Sequence, residues 1–503
     1  MAQRNAFKTN SSFFRMLAIG AVGAKTVQAA LNARGHDVVE LERGSLSTRI
    51  WRDVKRKRVR IPDLCCTRCG VRVESRAKTT PDLRMSHSPR EAERAWDYGM
   101  LDGDWIAFPI LVGDEHVLSE GLLKEPMALW RERTLTSWSL IGRVNLFQVG
   151  EFRSVAPKQQ KPKGVTEGSE VQVSWKARFA KASGRVTSVR DGRLDYKLAG
   201  SERESHFRLG LDEKSFLGAG DEFMENQVVA GQMRPLADTD LGCPSGCDES
   251  EVARMLRSRE RTVRFTGCKL ARLRRYAGLV TVIRDLSSDP EEDPYVQMEA
   301  RAYLCDVVGD SADNQFRATL LSHPDDQMRL EAAVALAETR TPSAFDLLLL
   351  VLEDTSQPLF LRSACAWALG CHGTEQAAEC LVQAFADVAP GIREEALTSL
   401  SDLGTAGIHP LVKGLELSPD VAAGSAEALR RLRDVPVREI AALAENSSST
   451  WPTWTLAHLP KDSIAPYIAA LQTKRPDVHF ALTVLWTFLE SWIAENWTPG
   501  ATP

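Results

Sequence analysis

No apolar run in this chain is long enough to cross a bilayer. The longest C-terminal one, Phe480–Ile493, is interrupted by Thr483, Thr487, Glu490 and Ser491, and a spanning helix needs about 20 apolar residues. A compact disulfide framework is also missing. The 10 cysteines are scattered over 503 residues, and Cys305, Cys365 and Cys380 sit in apolar helical patterns as small core residues. Both absences point to a reducing cytoplasm and away from a membrane. Complete nucleotide-binding signatures are lacking too. Gly20-Ala-Val-Gly-Ala-Lys-Thr26 approaches a phosphate loop, but Ile19 and Ala24 stand where glycine is required. Met16–Ile19 as a strand, Gly20–Ala33 as a helix and Val38–Leu41 as a second strand ending at Glu42 would open a Rossmann fold, yet Val22 fills the second glycine position. Arg15 followed by Met16–Ala24 imitates a signal peptide. Apolar positions continue at helical spacing through Val27, Ala30 and Leu31, which predicts a folded helix instead.

What is present is a soluble-protein composition, 43% hydrophobic and 26% charged. The length suggests about three domains. A net charge of −4 conceals a polarity: residues 1–275 hold 48 Lys and Arg against 35 Asp and Glu, while residues 276–503 hold 15 against 32. A basic front and an acidic back imply different partners for the two halves.

The most informative stretch is 58–78. It reads as two short strands joined by a turn at Thr67–Gly70. On the second strand Val71, Val73, Ser75 and Ala77 alternate with Arg72, Glu74, Arg76 and Lys78, an apolar or small face backed by a charged one. Folding the hairpin between Arg68 and Cys69 sets Leu64 opposite Val73, Cys66 opposite Val71 and Asp63 opposite Glu74. Two neighbouring carboxylates repel unless a cation lies between them, and oxygen ligands beside a basic group suit Mg²⁺ acting on a phosphodiester.

This arrangement resembles the PD-(D/E)xK nuclease superfamily, with Pro62-Asp63 as its first element and Glu74 as the acidic residue of its second. Arg76 stands where the family usually has lysine, and Lys78 lies two residues on, on the same face. The order of a helix (Phe13–Ala33), a strand (Asp37–Glu42), the hairpin, a helix (Pro89–Met100) and a strand (Asp104–Leu111) resembles the family's αβββαβ core over residues 10–115. The resemblance implies that Asp63 and Glu74 hold Mg²⁺ or Mn²⁺ and that Lys78, or Arg76, stabilises developing charge. Arginine keeps its proton and would not act as a base. Glu40 or Gln28 would be an extra ligand. The Arg76 departure bears on cleavage more than on fold, since some members of the superfamily only bind.

The chain reads as multidomain, α/β plus all-α. Residues 1–155 form the nuclease-like domain and 156–164 a Lys-, Pro- and Gln-rich linker. Residues 165–240 carry short alternating strands, Glu170–Trp175, Gly184–Val189, Arg193–Leu198 and Ser205–Leu209, with a hairpin signal at Asp191-Gly192, and read as a small β-barrel. Residues 248–503 are helical and repeat: Gln297–Leu304, Arg329–Leu336, Arg362–Leu369, Arg393–Leu400 and Ala422–Leu429 align, their last leucines 32, 33, 31 and 29 residues apart. Helix pairs that must cover one another's apolar faces stack into a solenoid. The pattern resembles HEAT-like repeats of the short, lyase-associated type. Trp451, Trp454, Trp486, Trp492 and Trp497 would belong to a capping hairpin.

Two basic segments suit nucleic acid. One holds Arg49, Arg52, Lys55, Arg56, Lys57, Arg58 and Arg60. The other, Arg254–Arg275, has nine basic residues with Phe265 and Tyr276 as stacking groups. Cys66-x2-Cys69 and Cys243-x3-Cys247 have ligand-like spacing for zinc, but they lie far apart and Cys66 is expected to face the core. The resulting expectation is a Mg²⁺-dependent DNA endonuclease with an interaction solenoid for a protein partner, by analogy in prokaryotic defence. The alternative is a non-catalytic nucleic-acid-binding or scaffold protein with a degenerate nuclease fold.

Overall fold

The alternation along 61–78 becomes the centre of a mixed sheet in the computed structural model, which describes residues 11–41, 61–113, 138–160, 171–190, 192–237, 241–244, 246–432 and 434–496. The chain divides into two compact units, 1–310 and 311–503.

In the first unit a long helix, α1 (Ser11–Asn32), leads to β1 (Val38–Glu40), β2 (Leu64–Cys66), β3 (Arg72–Ser75), β4 (Leu83–His87), β5 (Trp105–Phe108), β6 (Leu111–Gly113), β7 (Trp138–Leu140) and β8 (Asn145–Gln148). The hairpin register is the expected one, Leu64 opposite Val73. β1 runs antiparallel to β2, and β5 runs parallel to β3. The six-stranded order is β1-β2-β3-β5-β8 followed by the short strand Leu236–Ala237. Val27 and Leu31 of α1 pack with Val38, Leu64, Cys66, Val73, Ala107 and Leu146 on one face. Gly23 permits this approach, because a Cβ there would lie 2.4 Å from the Ala77 Cβ. Leu41, Ile61 and Cys65 pack on the other face against Val252, Leu256, Phe265, Leu270, Ile283 and Tyr303. These come from the helices Glu249–Leu256, Arg261–Arg274, Val280–Ser288 and Pro294–Tyr303.

Three points of the sequence reading are decided here. Both faces of β3 are covered: Arg72 and Glu74 of the charged face are buried along with Val73. The helix expected at Pro89–Met100 is a single 3-10 turn, Ala92–Arg94. Trp96 leaves that segment to pack 5.2 Å from Trp175 and 5.7 Å from Phe152, and β4 joins Val171–Trp175 in a separate sheet. The αβββαβ core is therefore not reproduced, although its first strands are. Finally, α1 runs unbroken through Gly20–Gly23 as the expected folded helix, with neither a Rossmann strand at Met16–Ile19 nor a phosphate loop there.

The middle strands form at Val171–Trp175, Gly184–Arg190, Arg193–Leu198 and Glu204–Arg208, close to expectation. They do not close into a barrel. The last three belong to an open four-stranded sheet and Ala177–Phe179 to a three-stranded one.

The second unit is helical. Asp326–Glu338, Leu359–His372, Pro390–Leu403 and Pro419–Arg431 stack as successive first helices, with Pro342–Glu353, Glu375–Gln383 and Thr405–Gly414 as second helices. The repeated arginine has a structural reason. Arg329 Nε donates to the Leu320 carbonyl at 2.9 Å and Arg362 Nε to that of Leu352 at 2.8 Å, so each satisfies a carbonyl at the end of the preceding helix. Cys365 is buried as a small core residue, as is Cys305 in the first unit. Among the described residues no helix is long and apolar enough to cross a membrane.

Candidate functional site

Glu40, Asp63, Glu74, Arg76 and Lys78, five positions far apart on β1 and the hairpin, line one cleft of about 530 Å³ with Ile19, Gly20 and Ala24 of α1 and with Arg84 and Gln172. Strand pairing explains the gathering: Glu40 sits opposite Leu64 and Leu64 opposite Val73, so the residues beside that row meet at one end of neighbouring strands. Gln28 is not among them. Its side chain donates to the Val38 carbonyl at 2.7 Å and fastens α1 to β1.

Each carboxylate already has a protein partner. Asp63 Oδ2 accepts the Ser75 amide at 2.8 Å, Glu74 pairs with Arg76 at 2.9 Å, and Glu40 pairs with Lys25 at 3.1 Å. Lys78 reaches Asp82 at 3.6 Å and donates to the Arg84 carbonyl. Burial pushes its ammonium below the usual lysine range, against the pull of Asp82. The three carboxylates also do not gather, among the described residues, as a set of ligand atoms within 4.8 Å of one another. For Mg²⁺ to be held through Asp63, Glu74 and Glu40, Glu74 would have to leave Arg76 and Glu40 would have to leave Lys25. Two polar atoms of the cleft, Ser75 Oγ and Arg76 Nε, are buried without a hydrogen-bond partner among the described residues.

Sequence reasoning missed Arg72 and Asp104. They form a bidentate pair, Arg72 Nε to Asp104 Oδ1 at 2.9 Å and NH2 to Oδ2 at 2.5 Å, almost wholly out of solvent. The pair ties β3 to the start of β5, and Arg72 also reaches Thr262 and Thr266 at 3.5 Å. Alternation alone places Arg72 on the charged face of the strand and names no partner for it.

The basic segment of Arg49, Arg52, Lys55, Arg56, Lys57, Arg58 and Arg60 lies outside the described residues. The second basic segment is corrected. Arg264 pairs with Glu292 at 2.6 Å, Arg272 with Glu299 at 2.9 Å and Arg261 with Asp293 at 2.6 Å. Lys269 is buried against the Leu41 carbonyl, and Phe265 is buried in the core. The helix spends most of its cations on internal carboxylates rather than offering them to a polyanion.

Zinc-like spacing sorts differently from expectation. Cys66, Cys69 and Cys243 come together with His36, all ligand atoms within 4.8 Å. Cys247 instead packs in the core with Val252 and Leu256.

The second unit has its own concavity, about 590 Å³, between consecutive second helices. Leu349, Leu352, Val382, Pro410 and Leu417 give it an apolar lining, and Glu353, Glu379 and Lys413 are charged. Arg362 on its wall is held by Asp387.

A family model for HEAT repeats matches residues 314–401, so the second unit carries HEAT repeats. No curated protein matches. Solved structures that resemble the chain include human deoxyhypusine hydroxylase in complex with glycerol, at 18% identity and TM-score 0.19, covering 43% of this chain and 83% of that one. A designed armadillo repeat protein aligns at 15% identity and TM-score 0.19, over 42% and 98%. The CpcE–CpcF complex of phycocyanin lyase from Nostoc sp. PCC7120 aligns at 16% and 0.18, over 49% and 96%. Likenesses this weak say nothing of activity.

Proposed function

We propose that the chain is a non-catalytic scaffold whose HEAT-repeat unit holds an extended, basic segment of a protein partner. The groove between Pro342–Glu353, Glu375–Gln383 and Thr405–Gly414 carries this reading. An apolar floor with a few placed charges suits a peptide chain. Glu353 and Glu379 on its wall, within a half of the chain that is strongly acidic, favour lysine or arginine on the occupant. The full chain incubated with labelled basic, neutral and acidic peptides should retain the basic ones, with retention falling as salt rises. Equal retention of all three, or preference for acidic ones, would contradict the reading.

A second reading concerns the first unit. The cleft carries Arg76, Lys78 and Arg84 among Glu40, Asp63, Glu74 and Asp82, and the buried Arg76 Nε and Ser75 Oγ lie beside it without partners among the described residues; under this reading an anionic group such as a phosphodiester of nucleic acid takes the place of those carboxylates on the cations. Under this reading nucleic acid is held and not cut, because the carboxylates are engaged by protein groups. Incubation of duplex and single-stranded DNA and RNA with Mg²⁺ or Mn²⁺ separates the two ideas. Binding weakened by Arg76→Gln without cleavage supports it. Metal-dependent cutting lost in Asp63→Ala and Glu74→Ala would replace it with the nuclease.

A further inference from the structure

The turn between β2 and β3, Cys66-Thr-Arg-Cys69-Gly70, is tightly built. The Gly70 amide donates to the Cys66 carbonyl at 2.9 Å, and Gly70 has φ of +73°, a conformation glycine adopts without the cost a side chain brings. The turn brings two thiols to one side. Two other segments meet it there. His36 comes from the connection between α1 and β1, and Cys243 from the segment that follows the short strand Leu236–Ala237.

We propose that His36, Cys66, Cys69 and Cys243 bind one zinc ion as a closed, structural site. The distances carry the argument. Cys66 Sγ lies 3.8 Å from Cys243 Sγ, and Cys69 Sγ lies 3.6 Å from His36 Nδ1. Zn–S bonds of about 2.3 Å and Zn–N bonds of about 2.0–2.1 Å at a tetrahedral angle require sulfur–sulfur separations of roughly 3.8 Å and sulfur–nitrogen separations of roughly 3.6 Å. Two of the six separations thus already match a tetrahedral ion, and all of them lie within 4.8 Å, so small side-chain adjustments would close the site around the metal.

The surroundings match the same use. His36 Nε2 lies 3.1 Å from the Leu241 carbonyl. A proton on Nε2 donated to that carbonyl leaves the Nδ1 lone pair facing the three sulfurs and fixes the ring. The Asp37 amide donates to Cys66 Sγ at 3.4 Å, a contact that stabilises a thiolate. Asp37 in turn accepts from the Thr67 hydroxyl, and Arg68 donates to the Gly35 carbonyl at 2.8 Å. The histidine segment and the cysteine turn are thus held together by groups that are not ligands. Four protein ligands leave no position for water or substrate, so the ion would clamp three segments rather than catalyse. Cys247 is the internal control. It is near, its amide donating to the Arg68 carbonyl at 3.2 Å, yet it belongs to the core and not to the cluster.

The test is the metal content of the purified full chain, with the cobalt-substituted form as an independent probe. Wild type should carry about one zinc ion per chain. After chelation and addition of Co²⁺ alone it should show the intense visible bands of tetrahedral cobalt–thiolate coordination. Cys69→Ala and Cys243→Ala should lose the zinc, and Cys247→Ala should keep it. Wild type without zinc and without the cobalt spectrum overturns the proposal, and so does a wild-type mass showing disulfides among these cysteines. Zinc lost in Cys247→Ala and kept in His36→Ala overturns the ligand set. The wild-type measurements decide even if a variant fails to fold.

Discussion

Two buried ion pairs set the residue-scale energetics of the first unit: Arg72 with Asp104, and Arg272 with Glu299 and Asp306. Removing one partner strands a charge in a low-dielectric interior, at about 3–5 kcal/mol. Arg72→Met and Arg272→Met should each lower the unfolding free energy read from urea titration by that order, whereas Arg254→Met, at an exposed arginine, should change it little. Lys78 behaves oppositely. Its folded ammonium is depressed by burial. Between the folded and unfolded lysine values the unfolded chain holds more protons, so stability rises with pH across that window. Lys78→Met removes a cation that the fold disfavours and should leave the melting temperature unchanged or raised, and it should flatten that alkaline slope. A large loss of stability in Lys78→Met would contradict this. Arg72 and His36 were illegible in the sequence for one reason. Alternation says which way a side chain points, and it does not say that a second layer covers the polar face or that a residue over 200 positions away supplies a hydrogen bond. His36 acquires its setting from Leu241, and nothing local in Gly35-His36-Asp37 announces it.

Elements were more legible than their assembly. The hairpin register follows from the apolar set alone: shifting it by one residue would turn Leu64 and Val73 out of the core. The repeat helices follow from small and aliphatic residues at helical spacing, with an arginine at the start of most copies. The crossover between β3 and β5 was illegible, because Ala92–Tyr98 has helical composition but Trp96 gains more from the aromatic cluster of Phe152 and Trp175 than a short helix gains from its own hydrogen bonds. The docking of α1 rests on Gly23, so Gly23→Val should cost about 1–3 kcal/mol by overpacking against Ala77 and loosen the helix. Faster amide exchange in α1 relative to the second unit would show it, and unchanged exchange would refute it. At the start of the helix Pro476–Asn496, the hydrogen bond from Arg475 holds the Asp477 carboxyl at about 2, below its ordinary 3.8. A depressed carboxyl adds stability above its unfolded value, and that contribution disappears as pH falls from 3.8 toward 2. The carboxyl resonance of Asp477 should titrate near the lower value and return toward the ordinary one in Arg475→Gln.

At the scale of the whole molecule, charge asymmetry is the sequence feature with the longest reach. The basic half does not translate directly into a nucleic-acid surface: in Arg261–Arg274 the cations are matched by Glu292, Asp293 and Glu299. The acidic half keeps carboxylates on the groove of the HEAT repeats, at Glu353 and Glu379. That contrast fits the partner-binding scaffold proposed above. The most direct measurement is a fluorescence-anisotropy titration of a lysine-rich peptide with the full chain, compared with Glu353→Lys plus Glu379→Lys. The account predicts saturable binding by wild type, weakened at least about tenfold by the double reversal and partly restored when the peptide's lysines are exchanged for glutamates. Binding that ignores the reversal, or a chain that binds no peptide and instead cuts nucleic acid with Mg²⁺, would contradict it.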